Sequence, residues 1–277
     1  QRAAAPESEK SSDETLSAAK ALKKIQTAKS IAFFIDYDGT LREFESVSSK
    51  ASPTKEIREL LSEMGAIKNF RTFIISGRKS VDLDIWLGDL KNITLIAEHG
   101  FSFRTPGRKK WHPIHENLDL SFREKVLEIF QQHVNTTPGS FIEAKDAALV
   151  WHYRQSDPEF GLWKAQHLIA SLQDMLVNRS VCVHHGKRIV EVSPAQIHKG
   201  AAVHYFLQQN ACNLAICAGD DKTDEAMFAL EDPRVISIKI GKGETRAQLR
   251  LSSPQEFRAF LRSICSTRQS QGPRRTS

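Results

Sequence analysis

The chain lacks the features that mark several classes of protein. No stretch of its 277 residues approaches the ~20 apolar residues of a membrane span, so no membrane domain is expected. The four cysteines form no C-x-x-C pair and show no metal-ligand spacing, which favours a reducing, cytoplasmic setting. Cys182 and Cys217 lie in apolar runs and are predicted to be core thiols. Residues 1–29 are mostly polar with no apolar h-region, so they do not form a secretory signal.

The chain also lacks a strong excess of one charge. The net formal charge is +6, and part of it lies in residues 266–277, a Ser/Gln/Pro/Arg-rich end that we predict to be a disordered tail. No nucleic-acid-binding module accompanies this charge, so no nucleic-acid partner is expected. A mildly basic surface suits an anionic small-molecule substrate.

The chain does have an alternation of short apolar runs and helical patterns. This alternation predicts an α/β fold built on a doubly wound parallel sheet. A helix is expected to open at Ser52-Pro53. The predicted strands of this sheet are 31–35, 70–75, 93–97, 214–218 and 235–240. The predicted divisions of the chain are a tail or linker at 1–29 and a discontinuous core domain at 30–112 and 195–265.

Between residues 113 and 194 the pattern changes to α-β-β-α-β-β, which favours antiparallel pairing. We predict a smaller α+β domain inserted into the core. Ser121 and Glu124 match a capping box at the start of its first helix. A turn at His185-Gly186 is expected to join its last two strands.

Residues 31–40 contain the most informative pattern. An apolar run ends on Asp36 and Asp38, followed directly by Gly39 and Thr40. A buried parallel strand of this kind delivers its polar residues to the carboxyl end of the sheet, where open α/β sheets bind ligands. Two such close acids stay ionised if a cation lies between them, and Mg²⁺ suits carboxylates combined with phosphate oxygens. The alternative is an ordinary Asp-Gly turn at a strand end.

Three further polar clusters follow apolar strands or begin helices. Ser76 follows the second strand, Lys199 begins a helix, and an acidic cluster containing Asp220 and Asp224 ends the strand at 214–218. Taken alone, the serine suits a turn and the lysine a solvated surface. The packed acids need a cation or a base to offset their repulsion. The four clusters in this order indicate a site for phosphate and a metal ion.

This ordered set resembles the four motifs of the haloacid dehalogenase-like (HAD) phosphohydrolase superfamily. The resemblance implies that Asp36 is a nucleophile that forms an aspartyl-phosphate, and that Asp38 is a general acid and then a general base. It implies Mg²⁺ as the cofactor. The residues implied to hold the phosphoryl oxygens are Thr40, Ser76 and Lys199. The implied metal ligands are Asp36, the backbone carbonyl of Asp38 and Asp220, with Asp224 behind them.

The insert resembles one family more closely, the trehalose-6-phosphate phosphatases, in particular the phosphatase domains of fungal and plant trehalose-synthesis proteins. The matching strings run from residue 31 to about 260 and include 137–143, 151–154 and 186–194 in the insert. The resemblance implies an HAD-like core with a cap domain, trehalose 6-phosphate as substrate, and a trehalose-6-phosphate synthase domain or subunit as a partner. The residues implied to grip the sugar or line the cleft are His99, Gly100, Glu143, Lys145, Arg154, Lys187 and Glu191.

Other interpretations stay open at this point. Each charge of the insert could be an ordinary exposed residue, and Glu191 could simply alternate outward from a strand. The chain could hydrolyse another sugar phosphate, such as sucrose phosphate or a glycosylglycerate phosphate. It could also be a non-catalytic regulatory domain, although such domains normally lose a motif acid and all the motif residues are present here.

Overall fold

The computed structural model describes residues 20–45 and 48–270, which form two sheets. The strands of the larger sheet are β1 (Ile31–Asp36), β2 (Phe70–Ile75), β3 (Ile93–Ala97), β4 (Ser102–Arg104), β5 (His112–Pro113), β10 (Leu214–Gly219), β11 (Val235–Ile240) and β12 (Leu249–Leu251). Those of the smaller sheet are β6 (Phe141–Ala144), β7 (Leu149–His152), β8 (Val181–Gly186) and β9 (Ile189–Pro194). The helices are α1 (Lys55–Ala66), α2 (Ser80–Leu87), α3 (Arg123–Thr136), α4 (Pro158–Leu176), α5 (Lys199–Gln209), α6 (Glu225–Phe228) and α7 (Pro254–Ser270).

The larger sheet has the order β12-β11-β10-β1-β2-β3-β4-β5, and its first six strands are parallel. The short strands β4 and β5 add an antiparallel edge. β1 lies between β10 and β2 and is buried along its whole length, because apolar layers cover both faces of the sheet there. The predicted α/β fold with a parallel sheet is confirmed, and the carboxyl ends of the parallel strands meet at one edge.

The two faces of β1 pack into different apolar layers because successive side chains point to opposite sides of a strand. Phe33 lies in the layer shared with α1 and α7, and Phe34 in the layer shared with α5. Both rings are fully buried, and burying a side chain of this size stabilises the fold by about 1.5–3 kcal/mol. This double-sided packing holds the end of β1 rigidly in place.

The smaller sheet has the antiparallel order β6-β7-β9-β8, and together with α3 and α4 we call it the cap; the larger sheet and its helices are the core. One face of the cap sheet carries Trp151 and Val190, which pack with Phe130 of α3 and Leu168 of α4. The alternate residues of the same strands point away from these helices, towards the core. The expected domain boundaries, at 112/113 and 194/195, stay a prediction.

Three local predictions are wrong. Helix α1 begins at Lys55 and is capped by Thr54, which accepts the N–H of Ile57, so it does not open at Ser52-Pro53. Helix α3 has no side-chain cap, and the expected capping box at 121–124 is absent. The cap hairpin turns at Lys187 and Arg188, with Arg188 at φ +61°, because β8 continues through the residues expected to form the turn.

The ends of the described chain also differ from expectation. Residues 20–27 are helical, with Ala21 and Ile25 buried in the core, so this part of the predicted tail or linker is packed. Helix α7 runs to Ser270, and Arg268 donates to the carbonyls of Ile25 and Ala28, so the predicted start of a disordered tail at 266 is wrong. The rest of both predicted tails, at 1–19 and 271–277, lies outside the described residues.

The structure also shows the apolar character of the helices and the burial of two cysteines. None of the helices in the described part of the chain has both the length and the apolar character needed to cross a bilayer. Cys217 is buried as predicted, but Cys182 is exposed, because its position in β8 points away from the cap helices.

Candidate active site

Two parallel-strand ends and one helix start converge on a cleft of about 650 Å³ between core and cap. Asp36 ends β1, Asp220 directly follows β10, and Lys199 is the first residue of α5. All three line the cleft, although Asp36 and Lys199 are almost completely buried. The topology therefore brings together residues that are up to 184 positions apart between Asp36 and Asp220.

Lys199 lies between two carboxylates. Its Nζ donates to Oδ1 of Asp36 (2.5 Å) and to Oδ1 of Asp224 (2.6 Å). Burial alone would lower the pKa of Lys199, but Asp224 and Asp36 outweigh it and raise the pKa above its ordinary value, so the ammonium is charged. Burial raises the pKa of Asp36 well above its usual range, and Asp224 and Asp220 add to this while Lys199 opposes it. One lysine does not neutralise this group of acids.

The acids of this group fit a divalent cation. Oxygen atoms of Asp36, Asp220 and Asp224 lie within 4.8 Å of one another. Burial, followed by repulsion from Asp224, raises the pKa of Asp220 to about 6. Carboxylate oxygens are the ligands that Mg²⁺ prefers, and a cation would relieve the repulsion that raises these pKa values. The residues present therefore fit Mg²⁺.

Three neighbours shape the Asp220 position. Thr40 is fully buried and donates its hydroxyl to Oδ1 of Asp220 at 3.4 Å. Gly39 has φ +86°, and a Cβ there would overlap the Asp220 carboxylate, so the close approach of the two loops requires glycine. Lys239, which is buried, donates its ammonium to the backbone carbonyl of Asp220. Thr40 thus holds the carboxylate of Asp220, and Lys239 holds its backbone.

Asp38 lies beside this group, but its partner is different. Arg78 donates to Asp38 through Nε (2.8 Å) and Nη2 (2.7 Å), a bidentate pair that fixes the carboxylate plane. The Arg78 guanidinium in turn lies over the ring of Trp86, 4.3 Å from its centroid. Asp38 is therefore positioned separately from Asp36, which suits a different chemical role.

The loop after β2 and the turn after β3 form the floor of the cleft. Ser76 is buried, its Oγ accepts the N–H of Arg78 (3.2 Å), and its carbonyl accepts the N–H of His99 (2.9 Å). The His99 ring lies in the cleft, and burial lowers the pKa of His99 to about 3, so the ring is neutral. Gly100 follows with φ +114° and approaches Ala202 of α5, so it supports the turn from outside the cleft lining.

The cap contributes one ion pair and one carboxylate–histidine hydrogen bond to the opposite wall. Lys145 donates to Glu191 at 3.0 Å, and both side chains are buried. Burial would raise the pKa of Glu191, but Lys145 outweighs it and holds the pKa below its usual value. Glu143 pairs with His152 at 2.8 Å, and this hydrogen bond lowers the pKa of Glu143. These charges point towards Asp36 and away from the cap helices.

Phe44 joins core and cap at the mouth of the cleft. This core residue is 54% exposed, and its ring centroid lies 5.0 Å from Nζ of Lys187 and 5.9 Å from the guanidinium carbon of Arg154. Both cations come from the cap, at distances typical of cation–π contacts. The aromatic ring thus lies against the cap in the same cleft as the acids.

The structure brings most of the predicted site residues into one cleft. Those that line it are Asp36, Asp38, His99, Glu143, Arg154, Lys187, Glu191, Lys199 and Asp220. Those directly behind the lining are Thr40, Ser76, Gly100, Lys145 and Asp224, whose contacts are given above. Individual roles for both groups stay predictions.

Sequence reasoning missed Arg78, Phe44 and Lys239. Arg78 lies two residues after Ser76, and this place was the available signal. Phe44 follows the first acidic motif by a few residues, and an aromatic residue in a polar loop was a weak signal. Lys239 in an apolar strand was the strongest signal, since a buried lysine needs a specific partner.

A parallel sheet with buried acids and a lysine at its carboxyl edge, facing an inserted cap, defines an HAD-like hydrolase. Residues 34–255 match the family model of trehalose-phosphatase. The chain belongs to that family.

Individual relatives agree with this assignment. The chain is 34% identical over 251 residues to a bifunctional trehalose-6-phosphate synthase/phosphatase of Thermoproteus tenax, covering 91% of this chain and 34% of that protein. It is 37% identical over 219 residues to a trehalose-phosphatase of Schizosaccharomyces pombe, covering 77% and 27%. The solved C-terminal domain of Candida albicans trehalose-6-phosphate phosphatase is 29% identical with a TM-score of 0.79, covering 91% of this chain and 97% of that one. The chain spans only 25% to 34% of the length of the first curated relatives.

Proposed function

We propose that this chain hydrolyses trehalose 6-phosphate to trehalose and phosphate. The observation that carries the proposal is that one cleft contains both the Asp36–Lys199–Asp220 group and the charged wall of the cap. The first suits a phosphoryl group and the second a polyhydroxyl sugar. A phosphate monoester of a disaccharide has both parts.

The core residues carry the chemistry in two steps. An oxygen of Asp36 attacks phosphorus as the bond to the sugar oxygen breaks, and Asp38 donates the proton that this leaving oxygen takes up. In the second step Asp38 removes a proton from a water molecule that attacks phosphorus. The bond between phosphorus and the Asp36 oxygen breaks, which regenerates the Asp36 carboxylate and frees inorganic phosphate. Arg78 holds Asp38 in its orientation, and the charged Lys199 neutralises phosphoryl oxygens. Thr40 and Ser76 complete the surroundings of the phosphoryl group.

We also propose that Mg²⁺ is the cofactor, held by Asp36 and Asp220 with the backbone carbonyl of Asp38. When bound, it would neutralise charge on the phosphoryl oxygens in the transition state. Asp224, which is fully buried and hydrogen-bonded to Lys199 and to the N–H of Asp221, would orient the lysine behind these ligands.

The cap supplies the sugar contacts in this proposal. Trehalose presents hydroxyl groups all around two rings, and ionised side chains form charge-assisted hydrogen bonds to them. The already paired Lys145–Glu191 and Glu143–His152 are held in place before substrate arrives, which lowers the ordering cost of binding. The residues proposed to contact the sugar are His99, Glu143, Lys145, Arg154, Lys187 and Glu191.

Phosphate release over a panel of sugar phosphates, with and without a chelator, tests the proposal. Turnover of trehalose 6-phosphate far above that of sucrose phosphate and glucose 6-phosphate, lost with the chelator, is the expected result. Similar turnover of every sugar phosphate would favour a general sugar phosphatase. Binding of trehalose 6-phosphate without turnover would favour a regulatory domain and contradict the proposal.

A synthase domain or subunit is the proposed partner. The Thermoproteus tenax relative is by its name both a synthase and a phosphatase, and this chain covers about a third of it. The natural setting is proposed to be the cytoplasm, which agrees with the four cysteines being free in the structure. Co-purification of a trehalose-6-phosphate synthase with the natural protein, or its presence on the same polypeptide, tests the partner; neither would be found if the proposal were wrong.

A further inference from the structure

Glu98 joins the core to the cap. It follows β3, and its carboxylate accepts the backbone N–H groups of Asp146 (3.0 Å) and Ala147 (3.2 Å). Both amides belong to the turn between β6 and β7 of the cap. The Glu98 side chain is only 3% exposed, so little water competes for these bonds. Hydrogen bonds to a buried carboxylate are among the stronger ones in proteins.

The backbone of Glu98 is fixed from the opposite side by the loop that carries Arg78. The N–H of Glu98 donates to the carbonyl of Arg78 (3.0 Å), and the N–H of His99 donates to that of Ser76 (2.9 Å). Glu98 and His99 also have positive φ angles, +48° and +58°. Two consecutive non-glycine residues rarely adopt this conformation unless their surroundings impose it. The conformation directs one side chain to the cap and the next into the cleft.

The cap turn that Glu98 holds carries a sugar-facing residue. Lys145 directly precedes the two amides, and its ammonium is paired with Glu191. Lys145 also closes the turn itself, because its N–H donates to the carbonyl of Ala148 (2.9 Å). A shift of this turn relative to the core would therefore move the Lys145–Glu191 pair relative to Asp36.

We propose that Glu98 is a positioning residue that docks the β6–β7 turn of the cap on the core and so sets the spacing between the Lys145–Glu191 pair and the phosphoryl site. The consequence for the substrate rests on the proposed function, whereas the docking itself does not. A substrate that must reach both walls depends on this spacing. A small phosphate ester bound by the core alone does not.

Two variants and one matched control test the proposal. Glu98→Gln keeps the shape but presents an NH₂ group to one of the two amides, so one hydrogen bond is lost. Glu98→Asp keeps the charge but is too short to reach the turn. Glu116→Gln is the control, because Glu116 is an exposed carboxylate near the crossover to the cap. Each protein is assayed with trehalose 6-phosphate and with p-nitrophenyl phosphate, and amide hydrogen exchange is followed over residues 141–150.

For both Glu98 variants we expect KM for trehalose 6-phosphate to rise roughly tenfold, the equivalent of one charge-assisted hydrogen bond. kcat/KM for p-nitrophenyl phosphate should change less than about twofold. Amide exchange at Asp146 and Ala147 should become faster, and the control should match the wild type in every measurement. Equal losses on both substrates would indicate a merely structural role and overturn the proposal, as would unchanged exchange at the two amides.

The experiment distinguishes an error in the proposed function from an error in the proposed docking by Glu98. If the wild type does not hydrolyse trehalose 6-phosphate, the exchange data still decide whether Glu98 docks the turn. If neither variant folds, exchange in the wild type decides: protected Asp146 and Ala147 amides support the docking, and fast exchange at both contradicts it.

Discussion

Arg78 grips Asp38 with two hydrogen bonds of 2.8 and 2.7 Å, while Asp36, two residues away, is paired with Lys199. The two acids of one short motif thus have different cationic partners. An acid held by a planar guanidinium is oriented but stays at the edge of the cleft, where it can meet a leaving group or a water. In the proposed mechanism, the acid that is paired with the lysine attacks phosphorus. The proposed division of roles between the two aspartates rests on these different partners.

Replacing Arg78 should therefore impair the proton transfers. We expect Arg78→Ala to lower kcat for trehalose 6-phosphate by about 10²-fold, the lower end of what a positioned acid–base group contributes. Arg78→Lys should recover only part of this, because an ammonium cannot form the bidentate pair. With p-nitrophenyl phosphate, whose leaving group needs no proton, stopped-flow absorbance should still show a fast first release of nitrophenolate. Wild-type kcat in Arg78→Ala would contradict the positioning of Asp38 by this residue.

Asp36→Asn should abolish turnover without loss of stability. The substitution removes the proposed attacking oxygen anion and also one of three mutually repelling acids, so the unfolding midpoint should stay the same or rise. In the wild type, mass spectrometry after acid quenching should find one phosphoryl group on the peptide that contains Asp36, and the variant should lack it. Retained turnover in this variant would remove Asp36 from the mechanism.

The raised pKa of Asp220 predicts a pH dependence of stability in the absence of metal. A carboxyl group with a folded-state pKa of about 6, above its unfolded value, contributes stability at low pH that is lost as the pH rises through 6. Asp220→Asn should therefore stabilise the metal-free protein at pH 7.5 by on the order of 1–2 kcal/mol in the presence of a chelator. This advantage of the variant over the wild type should shrink as the pH is lowered from 7.5 towards 5, because Asp220 of the wild type then becomes protonated. The buried neutral ring of His99 destabilises both proteins equally over this range, so the difference between them isolates Asp220.

Urea denaturation at several pH values, with chelator and with added Mg²⁺, measures these effects. Added Mg²⁺ should stabilise the wild type at pH 7.5 but not Asp220→Asn. Asp174→Asn, at an exposed position on α4, is the matched control and should behave like the wild type. A variant that still gains stability from Mg²⁺ would show that Asp220 is not a ligand.

The buried Lys145–Glu191 pair predicts strong coupling between its partners. Lys145→Met leaves the Glu191 carboxylate buried without its cation, which should cost about 3–5 kcal/mol of stability. The double variant Lys145→Met/Glu191→Leu removes both charges and should be close to the wild type in stability. It should nevertheless lose trehalose 6-phosphate turnover while keeping hydrolysis of p-nitrophenyl phosphate. Chemical denaturation and the two assays check this, and a double variant as unstable as the single one would be evidence against coupling.

Much of the candidate site could be predicted because it consists of residues at the ends of apolar runs. Asp36 ends a strand, Ser76 and Asp220 each follow one, and Lys199 begins a helix, so a parallel sheet alone brings them to one edge. The family was also predicted, and the match over residues 34–255 confirms it. Strand-end position is a local property, and it is visible along the chain.

Pairings across long sequence separations could not be predicted in the same way. The partners Arg78 and Asp38 are 40 residues apart, and Glu98 is 48 and 49 residues from the two amides it accepts. Periodicity reports which face of an element is buried, but not which polar group meets another when two elements pack. The turn of the cap hairpin was predicted at His185-Gly186 but lies at Lys187 and Arg188, because strand pairing with β9 extends β8 beyond its apolar part.

The α/β fold, the family and the residues at the acidic end of the cleft could be predicted from the sequence, because they depend on local apolar runs and on the residues at their ends. How the charges are shared among these residues could be seen only in the folded protein. Lys199 forms ion pairs with Asp36 and Asp224, Arg78 pairs with Asp38, and Lys145 pairs with Glu191. A buried charge takes as its partner whichever opposite charge the folded chain brings within a few ångströms, and that distance exists only after the sheets and helices have packed.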